Sequence, residues 1–149
     1  MINRFERFTT LITKIKRSIR SITKINMKEY GLTGNHVSVL YHLYLCDFLT
    51  SKELTEKCDE DKATISRTIT FLEEKDFINC KSKTKKRYNS PFFLTDKGKV
   101  VGKIVTEKVD GILSELSGCL TVEERIKFYK QLSHISKKLE NLSNNSKNI

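Results

Sequence analysis

The sequence predicts a mainly α-helical chain with one small β-hairpin, and three features carry that expectation. Apolar residues recur at alternating spacings of three and four near both ends of the chain. Helix-start signatures fall between them, at Thr50 with Glu53, at Asp61, and at Thr121 with Glu124. Between Ile78 and Leu94 the apolar period drops to two, the spacing of half-buried strands.

Phe5, Phe8, Ile12, Ile15, Ile19, Ile22 and Ile25 lay one stripe along a long first helix, whose other faces carry Arg4, Arg7, Lys14, Lys16, Arg17, Arg20 and Lys24. So narrow a seam calls for a partner, and Phe128, Leu132, Ile135, Leu139 and Leu142 supply a matching one at the far end. Residues 1–30 and 121–142 are therefore expected to be the dimerisation helices of a homodimer. The alternative is that both pack on their own domain as ordinary amphipathic helices.

Gly31-Leu32-Thr33-Gly34 ends the first helix, and Thr33 is placed to cap a second that turns Val37, Leu40, Leu43 and Tyr44 inward. Asp47 to Leu49 reads as a connection. Thr50-Ser51-Lys52-Glu53 is a capping box that opens a third helix through Cys58. After the acidic turn Asp59-Glu60-Asp61, Asp61 caps a fourth helix from Lys62 to about Lys75, with Ile65, Ile69 and Leu72 inward and Phe71 beside them.

The two strands follow. Ile78, Cys80 and Ser82 alternate with Asn79, Lys81 and Lys83, then Phe92 and Leu94 alternate with Pro91 and Phe93, and Thr84 to Asn89 joins them. Pro91 has no N–H to give a ladder, which predicts an edge position. A fifth helix, 96–118, opens at Thr95-Asp96-Lys97-Gly98 and carries Val101, Ile104, Val105, Ile112, Leu113 and Leu116 at helical spacing. Gly102 and Gly111 each weaken it by about 1 kcal/mol relative to alanine. Thr121 and Glu124 form the capping box of the last helix, and from Asn141 a polar tail is expected, frayed over 143–149. With 149 residues the chain fits a single domain, 1–149.

Lysine and arginine number 28 against 18 acids, a formal charge of +10 that favours a polyanionic partner. Met1-Ile2-Asn3-Arg4 opens no secretory apolar stretch and no run approaches a membrane span, so a cytoplasmic protein without a membrane partner is expected. The four cysteines, at 46, 58, 80 and 119, form no CxxC pair and read as reduced thiols. His36, His42 and His134 are dispersed, so neither a metal nor another cofactor is expected.

Two short helices joined by a tight turn and followed by a basic hairpin make a winged helix-turn-helix over 32–95. A helix entering the major groove of DNA needs small or hydrogen-bonding side chains on its outer face, and Lys62, Thr64, Ser66, Arg67 and Thr70 meet that need. Arg67 is the candidate for a bidentate contact to guanine, while Thr64, Thr68 and Thr70 are candidates for phosphates or a thymine methyl. Ser51 and Lys52, on the preceding helix, join the DNA-binding set. The hairpin carries Lys81, Lys83, Lys85, Lys86 and Arg87 with no acid between, a run whose self-repulsion phosphates flanking a minor groove would relieve. The plainer readings are a solvated helix face and a soluble loop.

Thr50-Ser51-Lys52-Glu53-Leu54, Asp61-Lys62-Ala63-Thr64-Ile65-Ser66-Arg67, Leu72-Glu73-Glu74-Lys75-Asp76-Phe77-Ile78 and Phe93-Leu94-Thr95-Asp96-Lys97-Gly98 together resemble the core signature of MarR-type transcriptional regulators, over about residues 32–100. The resemblance implies a homodimer with interlocked terminal helices, the helix from Lys62 in the major groove and the hairpin tip at the minor groove. It also implies a repressor released by a small ligand or an oxidant, on a pseudo-palindromic operator. Two departures stand out. The wing reads Thr84-Lys85-Lys86-Arg87, without the aspartate that commonly precedes the arginine by two, and Asp76 stands where glycine usually follows the recognition helix.

Cys80, beside Lys81, is the redox candidate, with an ordinary buried strand residue as the alternative; Cys46, Cys58 and Cys119 read as small hydrophobes. Ile15, Ile19, Tyr30, His36 and Tyr41 are positioned to line a ligand space or equally a core interface. Two functions thus stand in different classes: a sequence-specific DNA-binding regulator, and a winged-helix protein-interaction module that reads no DNA. No nucleophile, base and orienting acid gather on one predicted surface, so an enzyme is not expected.

Overall fold

The computed structural model describes the backbone of residues 4–81 and 90–146. In chain order it places α1 (Arg4–Asn26), a 3-10 turn (Lys28–Tyr30), α2 (Gly34–Cys46), β1 (Phe48–Thr50), α3 (Ser51–Cys58), α4 (Lys62–Glu74), β2 (Ile78–Cys80), β3 (Pro91–Leu94), α5 (Asp96–Ser117) and α6 (Val122–Ser146). These group into two compact units, Met1–Val109 and Asp110–Ile149.

The core of the first unit is one apolar cluster. α2 contributes Val37, Val39, Leu40 and Leu43, α3 contributes Leu54, and α4 contributes Ile65, Ile69 and Leu72. The sheet closes over them with Leu49, Ile78, Phe92 and Leu94, and Met27, Leu32, Phe77 and, from α5, Val101 and Val105 complete the cluster. Helix faces at period 3.6 and strand faces at period two thus meet in a single interior.

The sheet has three antiparallel strands in the order β1-β3-β2, with Leu49 opposite Phe92 and Ile78 opposite Leu94. Two sequence expectations change here. The stretch Asp47 to Leu49, read as a connection, contains most of β1, whose three residues are too few to show a period. Pro91 does not lie on an edge: it opens the central strand, opposite Thr50. The first residue of a strand is where a missing N–H costs least, and the Pro91 carbonyl still accepts from Lys81 N–H at 3.4 Å.

Three aspartates end helices with positive φ: Asp47 (61°), Asp59 (51°) and Asp76 (58°). Each has a φ that glycine adopts more cheaply, and Asp59, at ψ 46°, is in the left-handed helical region that aspartate tolerates better than most side chains.

In the second unit, Thr121 N–H donates to Glu124 Oε2 at 2.8 Å and Glu124 N–H donates to Thr121 Oγ1 at 3.3 Å, the reciprocal cap that starts α6. The helix then runs to Ser146, past the point where the polar tail was expected to begin. Asn, Ser and Lys carry no helix-breaking backbone, so a helix already nucleated upstream continues through them.

Candidate nucleic-acid interface

The candidate interface is built on α3 and α4. Thr50 starts α3: its N–H and its hydroxyl both donate to Glu53 Oε2, at 2.8 and 2.7 Å, and Glu53 N–H returns a bond to Thr50 Oγ1 at 3.3 Å. The bonds from Thr50 hold the Glu53 carboxyl below its usual pKa. Asp59, in left-handed geometry, ends α3 by donating its N–H to the Thr55 carbonyl. Ser51 is half-buried and Lys52 exposed at the start of this helix.

Asp61 then caps α4. Its Oδ1 accepts Thr64 N–H at 2.9 Å and its Oδ2 accepts the Thr64 hydroxyl at 2.7 Å. Thr64 Oγ1 in turn accepts from Arg67 Nη2 at 3.1 Å. One chain of bonds therefore runs from the cap to the guanidinium. The bonds from Thr64, with Arg67 as a smaller cause, lower the Asp61 pKa.

Lys62, Ser66, Arg67 and Thr70 are exposed and Thr64 is half-buried, so the sequence-predicted residues of α4 share its outer side. Thr68 does not belong with them. It is 4% exposed, and its hydroxyl donates back to the Thr64 carbonyl at 2.9 Å. Its place at i+3 from Ile65 puts it on the inward stripe, where a threonine can satisfy its own hydroxyl against the preceding turn. Thr70 makes the same back-bond, to the Ser66 carbonyl at 3.0 Å, yet remains exposed.

The far end of α4 is fastened to α5. Thr95 hydroxyl donates to the Asp76 carbonyl at 2.6 Å, Gly98 N–H donates to Thr95 Oγ1 at 2.9 Å, and Lys97 Nζ donates to the Lys75 carbonyl at 2.7 Å. Gly98 is needed for this approach, because a Cβ there would stand 1.8 Å from the Phe77 carbonyl oxygen. The Leu94-Thr95-Asp96-Lys97-Gly98 segment is thus a joint that sets the end of α4 against the start of α5. Gly102, expected only to weaken α5, sits against Leu94 and Tyr44, where an added Cβ would lie 3.1 Å from each side chain.

Lys81 is exposed at the end of β2, while Lys83, Lys85, Lys86 and Arg87, with the Thr84–Arg87 departure from the family pattern, lie outside the described residues. Among the cysteines, Cys46, Cys58 and Cys80 are partly buried. Burial raises the Cys58 thiol pKa, which makes it a poor thiolate. Cys119 is exposed, not the small core hydrophobe expected from its spacing.

A cavity of about 490 Å³ opens between α1, α2 and the end of α3. Ile15, Ile19 and Tyr41 line it, with Lys16 and Arg20; Tyr30 and His36 do not. His36 is instead the N3 residue of α2, a role sequence reasoning missed because capping boxes are sought as Glu or Gln. Its Nδ1 accepts Thr33 N–H at 3.0 Å, and its ring stacks on Phe71 of α4 with centroids 4.0 Å apart and planes 4° from parallel.

The chain has the fold of the MarR-type winged helix-turn-helix proteins. It superposes with a TM-score of 0.82 on NMB1585, a MarR family regulator from Neisseria meningitidis, at 20% identity over 95% of this chain and 96% of that one. With the MepR–DNA complex of S. aureus the TM-score is 0.79, at 19% identity over 89% and 97% of the two chains. In sequence it is 26% identical over 129 residues to an uncharacterized HTH-type transcriptional regulator, YybA of Bacillus subtilis (strain 168), covering 87% of this chain and 86% of that protein. No protein-family model matches the chain. Among the described residues, no helix is long and apolar enough to cross a membrane.

Proposed function

We propose that the chain is a homodimeric transcriptional repressor that binds a pseudo-palindromic DNA duplex and releases it when a small ligand binds. The observation that carries this reading is the outer side of α4, where Lys62, Thr64, Ser66, Arg67 and Thr70 stand together on a helix capped by Asp61 and preceded by a second capped helix. Arg67 reads guanine, the lysines and hydroxyls meet phosphates, and Ser51, Lys52 and Lys81 extend the contact. The DNA-bound state of MepR, a protein of the same fold, supports the reading.

The dimer rests on uncovered apolar surface within each unit. Leu11, Ile12, Ile15, Ile19 and Ile22 of α1 are exposed, as are Phe128, Ile135, Leu139 and Leu142 of α6. Contiguous apolar stripes of this kind are rare on monomers. The cavity lined by Ile15, Ile19 and Tyr41 is the proposed effector site: its mainly apolar wall suits a small apolar ligand, and Lys16 and Arg20 are matched there by Asp59 and Glu60.

Anisotropy titration against genomic fragments, followed by sequencing of those bound, tests the function. Half-sites about 34–36 Å apart and a steep loss of affinity with salt are expected. Arg67→Ala should erase preference for the selected site and leave non-specific binding largely intact. Unchanged preference would remove Arg67 from the reading, and retention of no fragment at low salt would favour the protein-interaction module instead.

A further inference from the structure

A one-sided antiparallel sheet ordinarily carries polar residues on its outer face. This one does not. Leu49, Phe92 and Leu94 point into the core, so Phe48 and Phe93, directly opposite each other in the β1–β3 ladder, share the outer face. Phe48 is 62% exposed and Phe93 half-buried. Together with Tyr44 and Val100, itself 63% exposed, they line an open groove of about 840 Å³.

The rim of the groove is cationic. Lys81, Lys99 and Lys103 line it against a single acid, Asp47. Lys99 Nζ lies 3.5 Å from Asp96 and Lys103 Nζ 3.8 Å from Glu107, but both are exposed contacts within one helix and worth little, so either lysine can turn to an incoming carboxylate. None of the candidate reading residues of α4 lines the groove, and of the proposed DNA contacts Lys81 alone is shared with it.

We propose that this face docks an acidic peptide segment of another protein, anchored by aromatic or aliphatic side chains between Phe48, Phe93 and Val100. An apolar floor under a lysine rim is complementary to that chemistry. A second copy of the chain fits worse, because pairing the groove with itself opposes lysines to lysines. The two phenylalanines and one valine also offer only a few hundred Å², well under the roughly 1,000 Å² of a stable interface. Duplex phosphates would meet the lysines and leave the apolar floor in water.

The test is fluorescence anisotropy of the full chain with a labelled peptide in which Asp and Glu alternate with Phe and Leu. A matched peptide with serine for Phe and Leu, and a labelled oligothymidine, serve as comparisons. Saturable binding of the first peptide alone is expected, weakened at least tenfold by Phe48→Ser with Phe93→Ser and again by Lys99→Glu with Lys103→Glu. Should the double serine variant fail to fold, Phe48→Ser alone, at an exposed position, carries the same expectation. Equal binding by wild type and variants, absence of saturable binding, or preferential binding of oligothymidine through the same residues would overturn the proposal. So would concentration-dependent self-association abolished by Phe48→Ser, which would assign the face to a second copy. DNA-fragment binding by the serine variants is unchanged if the groove and the reading helix act separately, so either reading can fail without the other.

Discussion

Acidification should loosen the start of α2 through His36. Thr33 N–H donates to His36 Nδ1, so the neutral ring carries its proton on Nε2. A proton on Nδ1 removes that acceptor, turns a second donor toward Thr33 and places a cation at a helix N-terminus, where the macrodipole is positive. Burial of the ring, which disfavours its charged form, lowers the His36 pKa from its ordinary 6.5. The folded state resists a proton that the unfolded chain accepts, so stability is complete above pH 6.5 and falls as pH drops toward the lower folded-state value. Losing the cap costs about 1 kcal/mol, worth roughly 2–4 °C of melting temperature in a chain of this size. Urea unfolding between pH 8 and pH 5 measures the loss, with His36→Gln as the comparison, since glutamine keeps the capping-box acceptor and does not titrate. His42, whose pKa is also lowered, first by burial and then by Lys57, is common to both proteins and cancels in the difference. The carboxylates of Glu53, Asp61 and Glu124 are held below their ordinary values of 4.5, 3.8 and 4.5, so their contributions are lost only at lower pH. Parallel loss of stability in wild type and His36→Gln over this range would refute the reasoning.

Gly98→Ala should destabilise by about 3 kcal/mol in urea titration, since the new methyl meets the Phe77 carbonyl and α5 must move. Asp76→Gly relieves a φ of 58° and should raise stability by about 0.5 kcal/mol, so a loss would show that the aspartate side chain has a bond worth more than the strain. Asp61→Ala removes the α4 cap at a cost of about 1 kcal/mol, while Asp61→Asn should retain most of it. Equal losses in the two variants would indicate that charge, not the hydrogen bond, is what Asp61 supplies.

Helix starts were the most legible feature of the sequence, because capping is local: Thr50 with Glu53, Asp61, and Thr121 with Glu124 do in the structure what their spacing predicts. Strand order was not legible. Whether β3 lies at the edge or the centre depends on β1, which is three residues long and separated from it by forty, and Pro91 argued locally for the wrong place. Around the candidate site the outer side of α4 followed from periodicity, but Thr68 shows the limit of reading residue type without face. The bond chain from Asp61 through Thr64 to Arg67 was half legible: the cap was foreseen, its continuation to the guanidinium needed side-chain geometry. The stacking of His36 on Phe71 joins residues on two helices and leaves no trace in sequence spacing.

The joint of Thr95, Lys97 and Gly98 makes the end of α4 and the first turn of α5 a single rigid piece. Within the first unit α5 runs from Asp96 to Val109, a length of about 21 Å, which makes it a lever: tilting it by about 5° about Val109 carries α4 roughly 2 Å. In the proposed dimer a two-fold axis would repeat that displacement in the partner, so the spacing of the two α4 helices would change by up to twice as much while neither changes its own shape.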